Sequence, residues 1–359
     1  MNGPPALLLV GCLACAPAHG VDLPDLEPSV ALDPRIWCIQ EAANGDLWFG
    51  SNGAGAYQYD GRTLVPHAPS ENVGRHVRDI GAAPNGDVLL STNEGVSRFD
   101  GERWHALEVE TAPDGSGWRL DPQDVWLVVD PGQGGPCRFD GERLWRLRLT
   151  ESPAEAMVRA RHPDSAFPPD GVTTIHRDRS GDVWIGTAAV GLCRYDGRTL
   201  DWMYEEALTT TAEGGAFCIR SIYEDRDGDV WICNTRQRFR FQEEGEERDG
   251  LRLLRYASEV GLPGAQAEDA EHFTYFPSIA QDRTGTLWMA CGSDGVLAYD
   301  ERGVRHLAVG DEAYVMRVLC DRQGRVWVGT LEQGAWVFDG SGFRPFAARA
   351  ADENPTSAF

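Results

Sequence analysis

The chain has 359 residues, 42% of them hydrophobic, enough for a sizeable core, and its 41 Gly and 21 Pro point to many tight turns rather than long helices. Against 33 Lys and Arg stand 56 Asp and Glu, a formal net charge of −23. A field of that sign repels phosphate backbones and anionic membrane surfaces, which sets nucleic acid aside as a partner and leaves the acids as solvated loop residues.

Taken in chain order, residues 1–19 read as a signal peptide. Residues 4–16 are a short apolar run, below the ~20 residues that span a bilayer. It ends in small residues, and both Ala14-Cys15-Ala16 and Ala16-Pro17-Ala18 have the form of signal-peptidase sites, although no Lys or Arg precedes the run. Leu9-Val10-Gly11-Cys12 also resembles a bacterial lipobox, which places cleavage before Cys12 and lipidation on its thiol. The expectation is an exported protein: periplasmic, secreted, or an outer-membrane lipoprotein whose contact with the membrane is that one anchor.

From residue 20 to residue 346 one unit recurs, which decides the fold. A turn glycine leads into an apolar run centred on Trp: NGDLWFG from Asn44, NGDVLLS from Asn85, SGDVWIG from Ser180, DGDVWIC from Asp227, TGTLWMA from Thr284 and QGRVWVG from Gln323. A seventh, decayed copy is QDVWLVV from Gln123, without the turn glycine. The central residues Trp48, Leu89, Trp126, Trp184, Trp231, Trp288 and Trp327 are 41, 37, 58, 47, 57 and 39 residues apart, near the ~40–50-residue period of a propeller blade. About a dozen residues later comes a second phrase, such as GAYQYDG to Gly61, GVSRFDG to Gly101 and GLCRYDG to Gly197; the fifth copy retains only Arg238-Phe239-Arg240-Phe241. Ile39, Ile80, Ile175, Ile222, Ile279 and Val318 lie six positions ahead of the turn glycine, and Asp178, Asp225, Asp282 and Asp321 three ahead.

Asn-Gly and Asp-Gly pairs supply the positive φ of two-residue hairpins, so a first strand turns there into a second. The second strand is apolar on both faces, with Val183 and Ile185 on one and Trp184 on the other, and must be covered on both. The later Asp-Gly turns a third strand into a fourth, at Leu64, Trp104, Leu144, Leu200 and Phe343. Four antiparallel strands in each of seven units predict an all-β, seven-bladed β-propeller. The repeated Trp residues are then core between blades. The outer strand of the last unit ends near Phe346, and the ring closes either by direct packing or by an N-terminal strand around Val30-Ala31-Leu32; residues 347–359 read as a polar tail.

With its best copy over residues 172–197, the repeat resembles the two-component regulator propeller repeat: aliphatic strand, Asp, turn Gly, VWIGT, then GLCRYDG. Tyr256 with Gly261-Leu262-Pro263 resembles the linker before that repeat's first strand, and the likeness covers about residues 33–346. Such propellers form periplasmic sensory regions of histidine kinases, often paired and frequently detecting carbohydrates. The resemblance therefore implies a sensory or binding module. This sequence shows a single ring and no kinase segment, so the signalling output of the family is not carried over.

Propeller ligands sit over the central channel, where the innermost strands begin. Ten and eight residues before the turn glycine lie Arg35 and Trp37, His76 and Arg78, Gly171 and Thr173, Cys218 and Arg220, Tyr275 and Pro277, and Tyr314 and Met316. Arg35, His76, Arg78, Arg220, Tyr275 and Tyr314 form the candidate ligand-binding rim. Aromatic faces and forked guanidinium donors suit an oligosaccharide or a carboxylated small molecule. The other reading is that they line a water-filled channel.

The functional expectation is a non-catalytic cell-envelope module that binds a small molecule, an oligosaccharide or a partner protein. There is no HExxH, no GxSxG with a partnered His and no phosphate-binding Gly-rich loop, so no catalytic residue is assigned. The alternative is a lyase or hydrolase working at the channel mouth through His76; a third reading is a scaffold held by acidic loops. The run Asp225-Arg226-Asp227-Gly228-Asp229 is read as a hairpin turn, not a calcium loop. No cofactor or metal is expected, because Cys38, Cys137, Cys193, Cys218, Cys233, Cys291 and Cys320 lack metal-ligand spacing; all seven are expected in strands. Two insertions, 150–170 and 242–276, break the period, the first with a short helical piece and the second rich in Glu.

Overall fold

In six of the seven units the repeated phrase becomes the second strand of a sheet, in the third it forms the innermost strand (Val125–Leu127), and the sheets follow one another around an axis to form a seven-bladed β-propeller. The structure is a computed structural model and describes residues 32–70, 72–113, 116–129, 135–161, 168–205, 208, 218–263 and 274–350. The expected signal peptide with Cys12, the residues Val30 and Ala31, and residues 351–359 lie outside the described residues.

Blade 1 comprises β1 (Ile36–Glu41), β2 (Leu47–Ser51), β3 (Ala56–Tyr59) and β4 (Thr63–His67). Blade 2 comprises β5 (Val77–Ala82), β6 (Val88–Thr92), β7 (Gly95–Phe99) and β8 (Trp104–Leu107). Then come β9 (Val109–Thr111) and blade 3, with β10 (Val125–Leu127), β11 (Cys137–Phe139) and β12 (Leu144–Arg146). The first insertion forms the two-turn helix α1 (Glu155–Arg161), ahead of blade 4 with β13 (Val172–Arg177), β14 (Val183–Thr187), β15 (Leu192–Tyr195) and β16 (Leu200–Met203). Blade 5 begins with β17 (Ile222–Glu224), β18 (Val230–Ile232) and β19 (Gln237–Phe241), and the second insertion supplies β20 (Glu246–Arg248), β21 (Leu251–Leu253) and β22 (Tyr256–Val260). Blade 6 comprises β23 (Ser278–Gln281), β24 (Leu287–Ala290), β25 (Val296–Asp300) and β26 (Gly303–Leu307). Blade 7 comprises β27 (Val315–Cys320), β28 (Val326–Thr330), β29 (Ala335–Phe338) and β30 (Phe343–Pro345), followed by β31 (Arg349–Ala350).

The turn glycines adopt the left-handed backbone that the hairpins require; Gly181 and Gly324, for example, have φ of 95° and 85°. Seven buried clusters correspond to the seven interfaces between neighbouring blades. Trp184 packs with Ile222, Ile232 and Phe239 of blade 5, whereas Val183 and Ile185 face the other way, toward Trp126 of blade 3. Each fully buried Trp contributes roughly 2–3 kcal/mol. The small residue after the apolar run is where the next blade's innermost strand comes close: a Cβ on Gly50 would lie 2.6 Å from Val77 Cγ1, and one on Gly329 2.8 Å from the Ile36 carbonyl oxygen.

The aspartate three positions before the turn glycine has a specific partner. Its Oδ2 accepts the indole N–H of the Trp in the same blade, at 2.7 Å in Asp178–Trp184 and 2.8 Å in Asp225–Trp231, Asp282–Trp288 and Asp321–Trp327. Its Oδ1 accepts amides of the turn. In blade 1, where Ala42 occupies that position, the Trp48 N–H is buried without a partner. On the same turn face, arginines clamp neighbouring blades. Arg226 donates to the carbonyls of Asp282, Arg283 and Thr284, and Arg322 of blade 7 to those of Ala42 and Ala43 in blade 1.

Three details differ from the sequence reading. Tyr256 does not lie in a linker: it opens β22, which pairs antiparallel with β19 and completes blade 5, its ring 5.7 Å from Phe239 and 5.6 Å from Phe241. The free edge of β19 and this aromatic cluster make the insertion a strand. Blade 3 is built from β10, β11 and β12 with β9 added in parallel on the outside. In it β10 packs against β5 of blade 2, and Val128 beyond its end donates its N–H to Asp79 Oδ2 at 3.0 Å and accepts Ser91 Oγ at 2.7 Å. Gly81 permits this approach, since a Cβ there would meet Val125 at 2.5 Å. Finally, Cys218 lies ahead of β17, and Cys233 and Cys291 directly follow strands, so not all cysteines are within strands. All seven are free thiols. Ring closure brings Trp327 against Ile39, Phe49 and Tyr59 of blade 1, and Arg349–Ala350 pairs in parallel with the outer strand β4.

Candidate functional site

The innermost strands begin at the face opposite the Asp-Gly turns, and several begin with a bulge. The register shifts between Ile36 and Cys38 in β1, Val77 and Asp79 in β5, Val172 and Thr174 in β13, and Val315 and Arg317 in β27. The extra residue is Trp37, Arg78, Thr173 or Met316, the position eight residues before the turn glycine. A bulge leaves one residue outside the ladder and re-aims its side chain, so these positions are free of strand-packing rules.

The six rim candidates all lie at this mouth, but only part of them converge. Arg78 lies over the Trp37 ring, 4.3 Å from its centroid, and donates Nε to Asn93 Oδ1 at 2.7 Å. Burial holds its guanidinium below the usual arginine value, and repulsion from Arg220 acts in the same direction. The Tyr275 hydroxyl donates to the Cys218 carbonyl at 2.8 Å. Burial, with Cys233 and Cys218 next to it, pushes its phenol far above the ordinary range, while Arg220 opposes the rise. Arg78, Arg220 and Tyr275 therefore share one electrostatic neighbourhood. Arg35 is turned to Asp33, with Nε and Nη2 donating at 3.2 and 3.3 Å, and packs against Gly53. His76 Nδ1 is 3.1 Å from the amide oxygen of Asn52. Tyr314 is 36% exposed and stands over Gly292.

Below the mouth, the axial channel holds a cavity of about 320 Å³. Its wall includes Gln40, His176, Arg220, Tyr223, Gln281 and Arg317. Arg317, the residue after the β27 bulge, has a buried Nε with no hydrogen-bond partner. Burial lowers His176 to a pKa of about 4, so it is neutral at pH 7, and its ring lies 5.6 Å from that of Tyr223. The Tyr223 hydroxyl accepts the Gln281 amide at 3.2 Å. Beside the channel, burial pushes the Cys38 thiol up to about 12, with Asp79 adding to the effect and Arg317 opposing it. These deeper residues escaped the comparison of copies because they lie inside the strand phrase, where aliphatic periodicity dominates. Arg317 still carried a signal: seven positions before its turn glycine, it is a cation where the other copies have Cys38, Asp79, Thr174, Ser221 and Ser278. The site offers donors, guanidinium groups and a neutral imidazole. It can hold a polar ligand. Among the described residues, no group of three or more His, Cys, Asp and Glu is arranged to hold a metal ion, and no helix is long and apolar enough to cross a membrane.

The sequence profile of the two component regulator propeller family matches residues 32–53, 166–189 and 218–236, the first and second strands of blades 1, 4 and 5. These segments carry the repeat of that family. No curated protein sequence matches the chain. The extracellular domains of two hybrid two component systems from B. thetaiotaomicron are similar structures: each is 16% identical, they cover 85% and 88% of this chain, and the TM-scores are 0.57 and 0.56. This chain spans only 38% and 40% of their lengths. A structure of streptogramin B lyase, 10% identical, covers 87% of this chain and is itself covered to 95%, with a TM-score of 0.59. At such identities the shared property is the fold.

Proposed function

We propose that this chain is an exported, non-catalytic ligand-binding or protein-interaction propeller, related to the sensory propellers of two-component regulators, and that it takes a small molecule or short saccharide at the mouth of its axial channel. The observation that carries this reading is the channel cavity walled by Arg220, an arginine whose charge also reaches Arg78 and Tyr275 at the mouth. Forked donors beside an aromatic surface suit hydroxyl and carboxylate groups. The hydrogen-bond partner of His76 is an amide, neither a carboxylate nor a nucleophile, which favours binding over a lyase or hydrolase mechanism at this histidine. The repeat family and the similarity to extracellular sensor domains support the sensory assignment and export.

The test is a glycan array and a metabolite panel on the purified chain, followed by titration calorimetry of any hit. Losing one charge-assisted hydrogen bond costs about 1.5–3 kcal/mol, so Arg78→Ala or Arg220→Ala should weaken the hit roughly 10- to 100-fold. Unchanged affinity in both variants removes the mouth as the binding site.

A further inference from the structure

The charge inside the channel is opposite to that of the protein. The chain carries a net charge of −23, yet among the described residues no Asp or Glu lines the axial cavity and its charged residues are Arg220 and Arg317. Among the described residues neither guanidinium makes an ion pair, and Arg317 Nε is buried without any partner. Asp79 is the acid whose charge reaches Arg317, but burial raises its pKa and so disfavours its charged form. Its Oδ1 accepts the Ile80 amide at 2.9 Å and its Oδ2 the Val128 amide at 3.0 Å, and no ion pair joins it to Arg317. His176 and Tyr223 face the same space. Arg317 is partly buried and its Nε is shut off from water without a partner, a cost that an anion drawn from solution into the cavity would offset.

The cavity's size and walls narrow the ligand. About 320 Å³ is at the small end of ligand sites and holds one compact molecule. Ile175, Ile222, Ile279 and Leu319 supply apolar wall between the polar groups. A planar guanidinium fork matches a carboxylate through two parallel hydrogen bonds. We infer that the axial channel binds the carboxylate of a small organic acid of about monosaccharide size, gripped by Arg317 from within and by Arg220 at the mouth. This inference rests on the reading above that a small ligand enters at the mouth, and it adds the ligand's charge and the residue that recognises it.

The experiment uses the full chain, thermal shift and titration calorimetry, with glucuronate as probe, glucose as its neutral counterpart, acetate as a minimal carboxylate and chloride at equal ionic strength as control. Glucuronate and acetate should raise the melting temperature beyond chloride, and glucose should not. Arg317→Gln should weaken glucuronate at least tenfold, Arg317→Lys should lose part of the affinity because the fork is gone, and unliganded Arg317→Gln should melt no lower than the parent. The inference is overturned if no carboxylate-specific shift appears up to ~20 mM, or if Arg317→Gln responds like the parent. It is equally overturned if the unliganded variant melts several degrees lower, since Arg317 would then be a structural counter-charge to Asp79. Equal binding of glucose and glucuronate, unchanged in Arg317→Gln, would refute the carboxylate site while leaving the ligand-binding propeller intact.

Discussion

Replacing Asp225 by Ala removes the carboxylate at the centre of one blade. It accepts the amides of Asp227 and Asp229, each at 3.0 Å, and the Trp231 indole at 2.8 Å, and is itself 4% exposed. Hydrogen bonds to a charged group contribute about 1.5–3 kcal/mol each, but the desolvation of the carboxylate opposes them, and truncation also leaves a buried indole donor unsatisfied at about 1–3 kcal/mol. The expected net loss is about 3 kcal/mol, or roughly 4–5 °C in melting temperature for a propeller of about 320 residues. Urea unfolding followed by Trp fluorescence measures it for Asp225→Ala, Trp231→Phe and the double variant. The coupling energy in that cycle isolates the carboxylate–indole bond and should be about 1.5 kcal/mol or more. A coupling below ~0.5 kcal/mol would refute the claim that this bond links the first and second strands, leaving the aspartate as a turn residue only.

The same logic predicts a gain where the bond is missing: Ala42→Asp gives the orphaned Trp48 N–H an acceptor and should stabilise the protein by about 1 kcal/mol in urea denaturation. Gly329→Val forces a side chain toward the Ile36 carbonyl across the blade 7–blade 1 junction, and the expected loss is about 1–3 kcal/mol, with faster hydrogen exchange in β1 and β27. Acid should destabilise the fold through two partly buried histidines. His67 accepts the Trp104 N–H on Nδ1 and faces Gln58 Oε1 with Nε2, so it is held neutral. Burial lowers both His67 and His176 to about 4 from 6.5. Their contribution is full above pH 6.5 and is lost as the pH falls toward 4, because the unfolded chain takes up protons that the folded chain refuses. Each is worth up to about 3 kcal/mol, so His176→Gln should flatten the melting temperature between pH 6.5 and pH 4, and an unchanged slope would contradict its burial.

Much of this protein was legible in one dimension because a repeated structure repeats its local physics. The glycine turns, the two-faced apolar strand around Trp184 and the Asp-Gly after the third strand are short-range signals, and they determine blade, strand order and blade number. The bulged positions Trp37, Arg78 and Thr173 were legible too, as places where the copies diverge, since a bulge releases its residue from packing. Only the tertiary structure decided which of those residues meet, since that depends on chain segments up to 200 residues apart turning to the same axis. It brought Arg78, Arg220 and Tyr275 into one field and turned Arg35 back to Asp33. It also bonded each aspartate to its Trp, made Tyr256 a strand, and let Asp79 and Ser91 of blade 2 hold Val128 of blade 3. Such contacts are set by which hydrogen-bonding groups a neighbouring blade leaves open, and a linear pattern does not contain that geometry.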